Sequence, residues 1–168
     1  MKAAIVALTF LGVAVSSGAA CADTKVTFAH PDRYTDAKLY GDYGTRAWQP
    51  AVDAIGAYLK RLGDRYVERR QVLTVEILDI DLAGLIDPFR SYSVRFMSPV
   101  TWPRIKVRYT LAQNGRTLMR SDETISDIEY LSNAVGRSSG DPLRYEKAML
   151  DDWFRARFCP GGALACFI

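Results

Sequence analysis

The chain has 168 residues, with 22 Lys and Arg, 19 Asp and Glu and one histidine, which gives a formal net charge of +3. Charges this closely balanced do not indicate nucleic acid as a partner. One histidine and three cysteines also exclude zinc sites that need several such ligands, once two of the cysteines are paired. We therefore expect no metal ligand set and no cofactor.

The first 22 residues are organised as a secretory signal peptide. One basic residue, Lys2, precedes an uncharged apolar stretch at residues 3–15, and small residues end in the sequence ACA at residues 20–22. This order is typical of a cleaved signal. The apolar stretch is shorter than the roughly 20 residues that a membrane-spanning helix needs. We therefore expect cleavage after Ala22 and a periplasmic protein.

An alternative is a lipoprotein in which Cys21 carries the lipid, because small residues precede it. Gly18 stands where such signals have a branched aliphatic residue, which disfavours this alternative. Cleavage after Ala22 leaves residues 23–168 as a single globular domain, with a net charge of +2 because Lys2 is removed. We expect no transmembrane segment in that domain.

Cleavage also leaves two cysteines, Cys159 and Cys166, in a compartment where thiols are oxidised. We expect a disulfide between them that ties the tail to the preceding helix. The alternative is a redox-active pair, but six intervening residues do not form the C-x-x-C spacing of such sites.

The first predicted elements are a short strand at residues 25–29, a loop at residues 32–44 and a helix at residues 49–62. Pro50 fits the first helical turn, and Gly63 is expected to end the helix. The helix is predicted because apolar residues recur at spacings of four and three: Trp48, Val52, Ile55, Leu59 and Leu62.

A second strand is predicted at residues 71–82, with an interruption in its pattern. Up to Ile77, apolar residues occupy every second position, on the face expected to point inward. After Ile77 the apolar positions shift by one residue, so that Asp79 and Asp81 stand at positions of the face that had pointed inward. Either a β-bulge lies near Ile77 and Leu78, or the strand leaves the sheet there.

A short strand is predicted at residues 92–97 and a longer one at residues 105–112. Asn114 and Gly115 form a strong signal for a two-residue hairpin, which leads into a further strand. Counting back from that turn places Lys106 opposite Glu123 as a cross-strand ion pair.

The last helix is predicted to begin at Asp141 and Pro142, which supply an N-cap and a proline in the first turn. Its apolar stripe is Leu143, Leu150, Trp153, Phe154 and Phe158. The order β-α-β-β-β-α predicts an α+β two-layer domain, with an antiparallel-rich sheet of three to four strands covered on one side by two helices.

Five residues are candidates for a surface site: His30, Asp79, Asp81, Trp102 and Arg104. The two aspartates share a strand face and offer oxygen ligands to a divalent cation, although carboxylates at a strand end more often meet solvent or the turn. Trp102 and Arg104 flank a proline before a strand, which suits a peptide or glycan contact if the indole is exposed. A buried Trp102 would instead close the core.

Several segments in combination resemble a family of exported bacterial proteins, domain of unknown function 3016. They are DIDLAG at residues 79–84, TWPRI at 101–105, SD at 126–127, LRYEK at 143–147 and LDDWFR at 150–155. The resemblance implies an envelope location and assigns no catalytic residue. It suggests that the turn from Asp79 to Gly84 and the Trp102 loop should be tested together.

Two hypotheses of function follow. The first is a non-enzymatic binding or envelope-assembly module with a protein or glycan partner, because no nucleophile and base are spaced as a known catalytic motif. The second is a hydrolase or divalent-metal enzyme that uses Asp79, Asp81 and His30. The sequence leaves any catalytic residue unassigned.

Overall fold

The computed structural model describes residues 22–41, 44–91 and 93–159. The regular elements of this part are β1 (Asp23–Phe28), α1 (Gln49–Tyr66), β2 (Gln71–Asp81), β3 (Leu85–Ile86), β4 (Arg95–Phe96), β5 (Arg104–Gln113), β6 (Arg116–Ser126), α2 (Ala134–Ser138) and α3 (Arg144–Phe158). The fold is therefore α+β, as the sequence predicts.

The main sheet has four strands in the order β1-β2-β5-β6. β1 is parallel to β2, whereas β5 is antiparallel to both β2 and β6. The sheet is mixed and not antiparallel, because α1 carries the chain back to the end of the sheet from which β1 starts. β4 lies within the short strand predicted at residues 92–97. The strand that pairs with it, β3, and the third helix, α2, add to the predicted elements.

α1 starts where the sequence predicts, with Pro50 in its first turn, but it continues to Tyr66. The expectation that Gly63 ends the helix is wrong. A β-carbon at Gly63 would lie 1.9 Å from the Thr24 hydroxyl oxygen of β1. This glycine therefore allows the helix and the strand to approach closely.

One contiguous core joins α1, α3 and the main sheet. Each fully buried aliphatic or aromatic side chain contributes about 1.5–3 kcal/mol to stability. The residues at its centre are fully buried and come from both helices and both central strands: Ile55, Leu59, Leu73, Ile77, Ile105, Leu150 and Phe154. The alternate residues of β5, including Lys106 and Arg108, are exposed on the other face of the sheet.

The register of β2 against β5 shifts between Ile77 and Asp79. This shift confirms the bulge, one of the two alternatives that the sequence left open. Because of it, Asp79 pairs with Lys106 and Asp81 with Arg104, so both aspartates point to the exposed face.

A second shift, between Leu111 and Ala112, changes the register of β5 against β6. Lys106 consequently lies opposite Thr124, and Glu123 lies opposite Val107. The predicted Lys106–Glu123 pair is therefore wrong. The shift turns Glu123 to the face that carries α3, where it meets helix side chains.

α3 begins at Arg144, slightly after the predicted start, and the Asp141 carboxylate accepts a hydrogen bond of 2.8 Å from the Leu143 amide. Cys166 lies outside the described residues, as do residues 1–21. The disulfide and the signal peptide therefore stay predictions. Across the described ranges, no helix combines the length and apolar character needed to span a membrane.

Candidate functional site

Three of the five predicted site residues, Asp79, Asp81 and Arg104, line a shallow pocket of about 270 Å³ on the exposed face of the main sheet, here called the Asp79 site. A fourth, Trp102, lies in the loop before β5 and contacts Arg104. The lining residues of the Asp79 site are Thr35, Asp79, Asp81, Arg104, Lys106 and Thr124. The β2 bulge creates this site because it brings both aspartates to the same face as the basic residues of β5.

The Asp79 carboxylate is held by the loop that follows β1. Oδ1 accepts a hydrogen bond from the Thr35 amide and Oδ2 accepts one from the Thr35 hydroxyl, each at 2.8 Å. Beneath it, the Tyr34 hydroxyl donates to the carbonyl of Ile77 at 2.9 Å. Burial, and then the charge of Asp79, raise the pKa of the Tyr34 phenol, so it stays protonated as a donor. The loop and the bulged strand are thus fixed to each other.

Asp81, Arg104 and Trp102 form a chain of contacts at the edge of the Asp79 site. Arg104 Nε donates to Asp81 Oδ2 at 3.0 Å. The Arg104 guanidinium carbon lies 5.4 Å from the centre of the Trp102 ring, a cation–π distance. Trp102 is half-buried and packs on a second cluster formed by Ala83, Tyr130 and Tyr145. The indole therefore both closes this cluster and orients the cation.

Neighbouring charges on the same face are paired in a row across the strands. Arg108 binds Asp122 of β6 through Nη2 at 2.9 Å and Glu76 of β2 through Nη1 at 3.2 Å. The hydrogen bond to Asp122 raises the pKa of Arg108 and lowers that of Asp122. Lys106, in contrast, makes no hydrogen bond or ion pair with a described residue. It is an exposed cation available to a partner.

His30 is not part of this arrangement. It lies at the end of β1 with a left-handed backbone, φ 51°, and its side chain is exposed. The enzyme hypothesis combined His30 with the two aspartates, but His30 is not among the residues that line their site.

The Asp79 site offers little to a metal ion. Both oxygens of Asp79 accept hydrogen bonds, and Asp81 is bound by a guanidinium. Among the described residues, no three His, Cys, Asp or Glu side chains are grouped as metal ligands.

Sequence reasoning missed Arg95, which organises the turn after β2. Its side chain is only 6% exposed. Nε donates to the Ala83 carbonyl at 2.9 Å and Nη2 to the Gly84 carbonyl at 2.7 Å, while Nη2 also binds Asp36 at 2.7 Å. Arg95 thus fixes the turn after β2, at residues 82–84, to the loop after β1. No local pattern signals this role, because the partners are distant in sequence.

Glu146 binds the same turn from the helix side. It is 2% exposed, and Oε1 accepts a hydrogen bond of 2.7 Å from the Ala83 amide. Burial raises the pKa of this carboxyl. A sequence signal did exist here, since Glu146 lies three residues after Leu143 and four before Leu150, on the apolar stripe of α3.

A larger concavity of about 630 Å³ lies between β6 and α3 and is here called the β6 groove. At one end, Glu123 accepts hydrogen bonds from the hydroxyl of Tyr109 at 2.8 Å, from the indole of Trp153 at 3.0 Å and from Arg157 at 3.1 Å. Partial burial alone would raise the pKa of Glu123, but these hydrogen bonds outweigh it and hold the pKa below its usual range. The sequence did not predict this groove, because the misplaced register put Glu123 on the other face.

Comparison with known proteins gives one match. The model of a family described as protein of unknown function (DUF3016) matches residues 22–156. Neither a curated protein nor a solved structure matches the chain.

Proposed function

Because the chain belongs to the DUF3016 family, whose description states no activity, we propose a function from its surface: a non-enzymatic binding module of the bacterial envelope. Its contact surface is the Asp79 site together with Trp102. Its partner is another envelope protein. Export through the signal peptide at residues 1–22, with Cys159 and Cys166 joined in a disulfide, is part of the proposal.

The observation that carries this proposal is the fixed arrangement of charges on the exposed sheet face. The proposal takes α1 and α3 as one layer that covers a single face of the sheet, which the exposure of alternate β5 residues supports. On the open face, Asp79, Asp81 and Arg104 are each held by hydrogen bonds before any partner arrives. A preordered surface loses less side-chain entropy when it binds.

Lys106 supplies the attractive element of this surface. It is exposed, opposite Asp79 in the sheet, and without a partner among the described residues. A carboxylate on the partner would give it one, and Trp102 offers the half-buried aromatic surface that often anchors interfaces. Lys106 offers a charge and Trp102 offers a single aromatic ring. This combination favours a protein partner over the glycan alternative.

The competing hypothesis, an enzyme that uses Asp79 and Asp81, has less support. Both aspartates already serve as hydrogen-bond acceptors for neighbouring side chains, and His30 does not line their site.

A photoreactive diazirine analogue of lysine that keeps the ammonium group, placed at position 106 of the exported chain in its own cells, tests the proposal. We expect one discrete protein adduct. Arg104→Glu, which puts two negative charges side by side, should lower the adduct yield about tenfold or more.

The matched control exchanges the two charges, Asp81→Arg with Arg104→Asp. This double variant keeps an ion pair and therefore the fold, but it changes the charge pattern that a partner meets. We expect it to lose the adduct as well. If both variants gave as much adduct as the chain with Asp81 and Arg104 unchanged, the proposed surface would be refuted.

A further inference from the structure

β6 lies at the edge of the main sheet in the part of the chain that the structure describes. Among the described strands it pairs with β5 alone. The N–H and C=O groups along such an edge are a template for an added strand, and extended peptides are recognised in this way.

The two halves of β6 differ in how well this edge is protected. Charged residues and the register shift lie in the first half, where Arg116, Arg120 and Asp122 are exposed. Such features blunt an edge against unwanted pairing. The second half carries the uncharged Thr124, Ile125 and Ser126, so it lacks that protection.

The unprotected half is also the half that forms the wall of the β6 groove. Residues 123–127 line the groove consecutively, which places it along the edge of the strand. The opposite wall is one stripe of α3, formed by Met149, Asp152, Trp153 and Arg157. The four strand residues from Glu123 to Ser126 span about 13 Å, enough for an extended segment of similar length.

The acidic residues that line the groove determine which side chains a bound segment would carry. Asp127 and Glu129 line it and form no ion pair with a described residue. Burial, and then the nearby carboxylates Asp151 and Asp127, hold the pKa of Asp152 above its usual range despite the attraction of Arg155. A cation in the groove would stabilise all three carboxylates.

We propose that an extended peptide segment with basic residues at alternate positions adds to β6 at residues 123–127 and lies in the β6 groove against α3. Alternate side chains of a strand point to the same face, so every second residue reaches Asp127, Glu129 and Asp152. The inference rests on the proposed binding function and names the class of its partner. The two surfaces adjoin, because Thr124 lines both the groove and the Asp79 site.

The test uses the exported chain and a labelled, end-capped eight-residue peptide of alternating Lys and Thr, in fluorescence anisotropy at low salt. We expect saturable binding. Asp127→Asn with Glu129→Gln should weaken it about tenfold, from the loss of two ion pairs. The same peptide methylated at every backbone nitrogen keeps its charges but cannot extend the sheet, and it should bind at least about tenfold more weakly.

Equal binding of the methylated peptide would show attraction by charge alone and overturn strand addition. No binding by the unmethylated peptide would overturn the proposal as a whole. Hydrogen exchange on the free chain completes the test. If the amides of residues 123–127 that point away from β5 are already protected, a second copy or another segment of this chain occupies the groove, and the proposal is again overturned.

Arg104→Glu separates this inference from the proposed function. We expect that variant to lose the adduct at position 106 and to bind the peptide as the unchanged chain does. If the peptide fails to bind the unchanged chain while the adduct at position 106 still forms, this inference is overturned and the proposed function stands.

Discussion

Glu123 and Glu146 are two glutamates whose environments shift their pKa values in opposite directions. Glu123 accepts three hydrogen bonds, from a phenol, an indole and a guanidinium, and these favour its charged form. Glu146 is almost fully buried with one amide donor, so burial favours its neutral form. The hydrogen bonds of Glu123 therefore lower its pKa, whereas burial raises the pKa of Glu146.

Glu123→Gln should lower the free energy of unfolding by about 1–2 kcal/mol at pH 7, since a charged acceptor is replaced by a weaker neutral one. The folded pKa of Glu123 lies below its unfolded value. Its stabilisation is therefore present above the unfolded pKa of about 4.3 and is lost as pH falls through the folded pKa. Urea unfolding at pH 7 and pH 3 checks this.

The matched control for that experiment is Glu129→Gln, an exposed position on the same groove without an ion pair among the described residues. We expect its stability to follow that of the unchanged chain at both pH values. A Glu123→Gln difference that persists undiminished at pH 3 would contradict the role of the Glu123 charge.

At the scale of elements, the turn after β2 is held from two sides. Arg95 binds the carbonyls of Ala83 and Gly84, and Glu146 binds the amide of Ala83. Gly84 has a left-handed backbone, φ 72°, and a β-carbon there would lie 2.7 Å from the Phe96 carbonyl oxygen. The turn thus depends on a glycine and a buried cation together.

Arg95→Leu should lower the free energy of unfolding by about 3 kcal/mol, because it leaves several buried carbonyls and Asp36 without their donor. Arg90→Leu is the control. Arg90 is exposed and lies 4.1 Å from the centre of the Phe96 ring, a contact worth about 0.5–1 kcal/mol. Urea unfolding measures both, and equal losses would contradict the role of Arg95 in the turn.

The two bulges show what a strand pattern can predict. The bulge in β2 interrupts a strong alternation of buried and exposed residues, so the shift of the apolar positions reveals it. The irregularity in β6 has no such contrast, because Leu118 and Met119 are both exposed. Counting from the Asn114 turn therefore gave the wrong register, and the position of Glu123 could not be predicted.

At the scale of the molecule, the pairing of β1 with β2 joins segments separated by α1, and no local pattern specifies whether they run parallel. The grouping of Asp79, Asp81 and Arg104 was easier to predict because their strands are antiparallel neighbours. Arg95 was not predictable, since its partner Asp36 lies 59 residues away. The family resemblance, in contrast, is confirmed over residues 22–156.

Thr124 connects the two proposed binding surfaces, because it lines both the Asp79 site and the β6 groove. A strand added to β6 would extend the sheet beyond Thr124, which lies opposite Lys106 of β5. We therefore expect one partner to contact both surfaces at once.

Photocrosslinking from three single positions tests this central claim most directly: Lys106, Thr124 and, as a control, the exposed Lys60 of α1. The account predicts an adduct with the same protein from positions 106 and 124, identified by mass spectrometry, and none from position 60. No adduct at 106 and 124, or equal adducts at all three positions, would contradict a binding surface on the open face of the sheet.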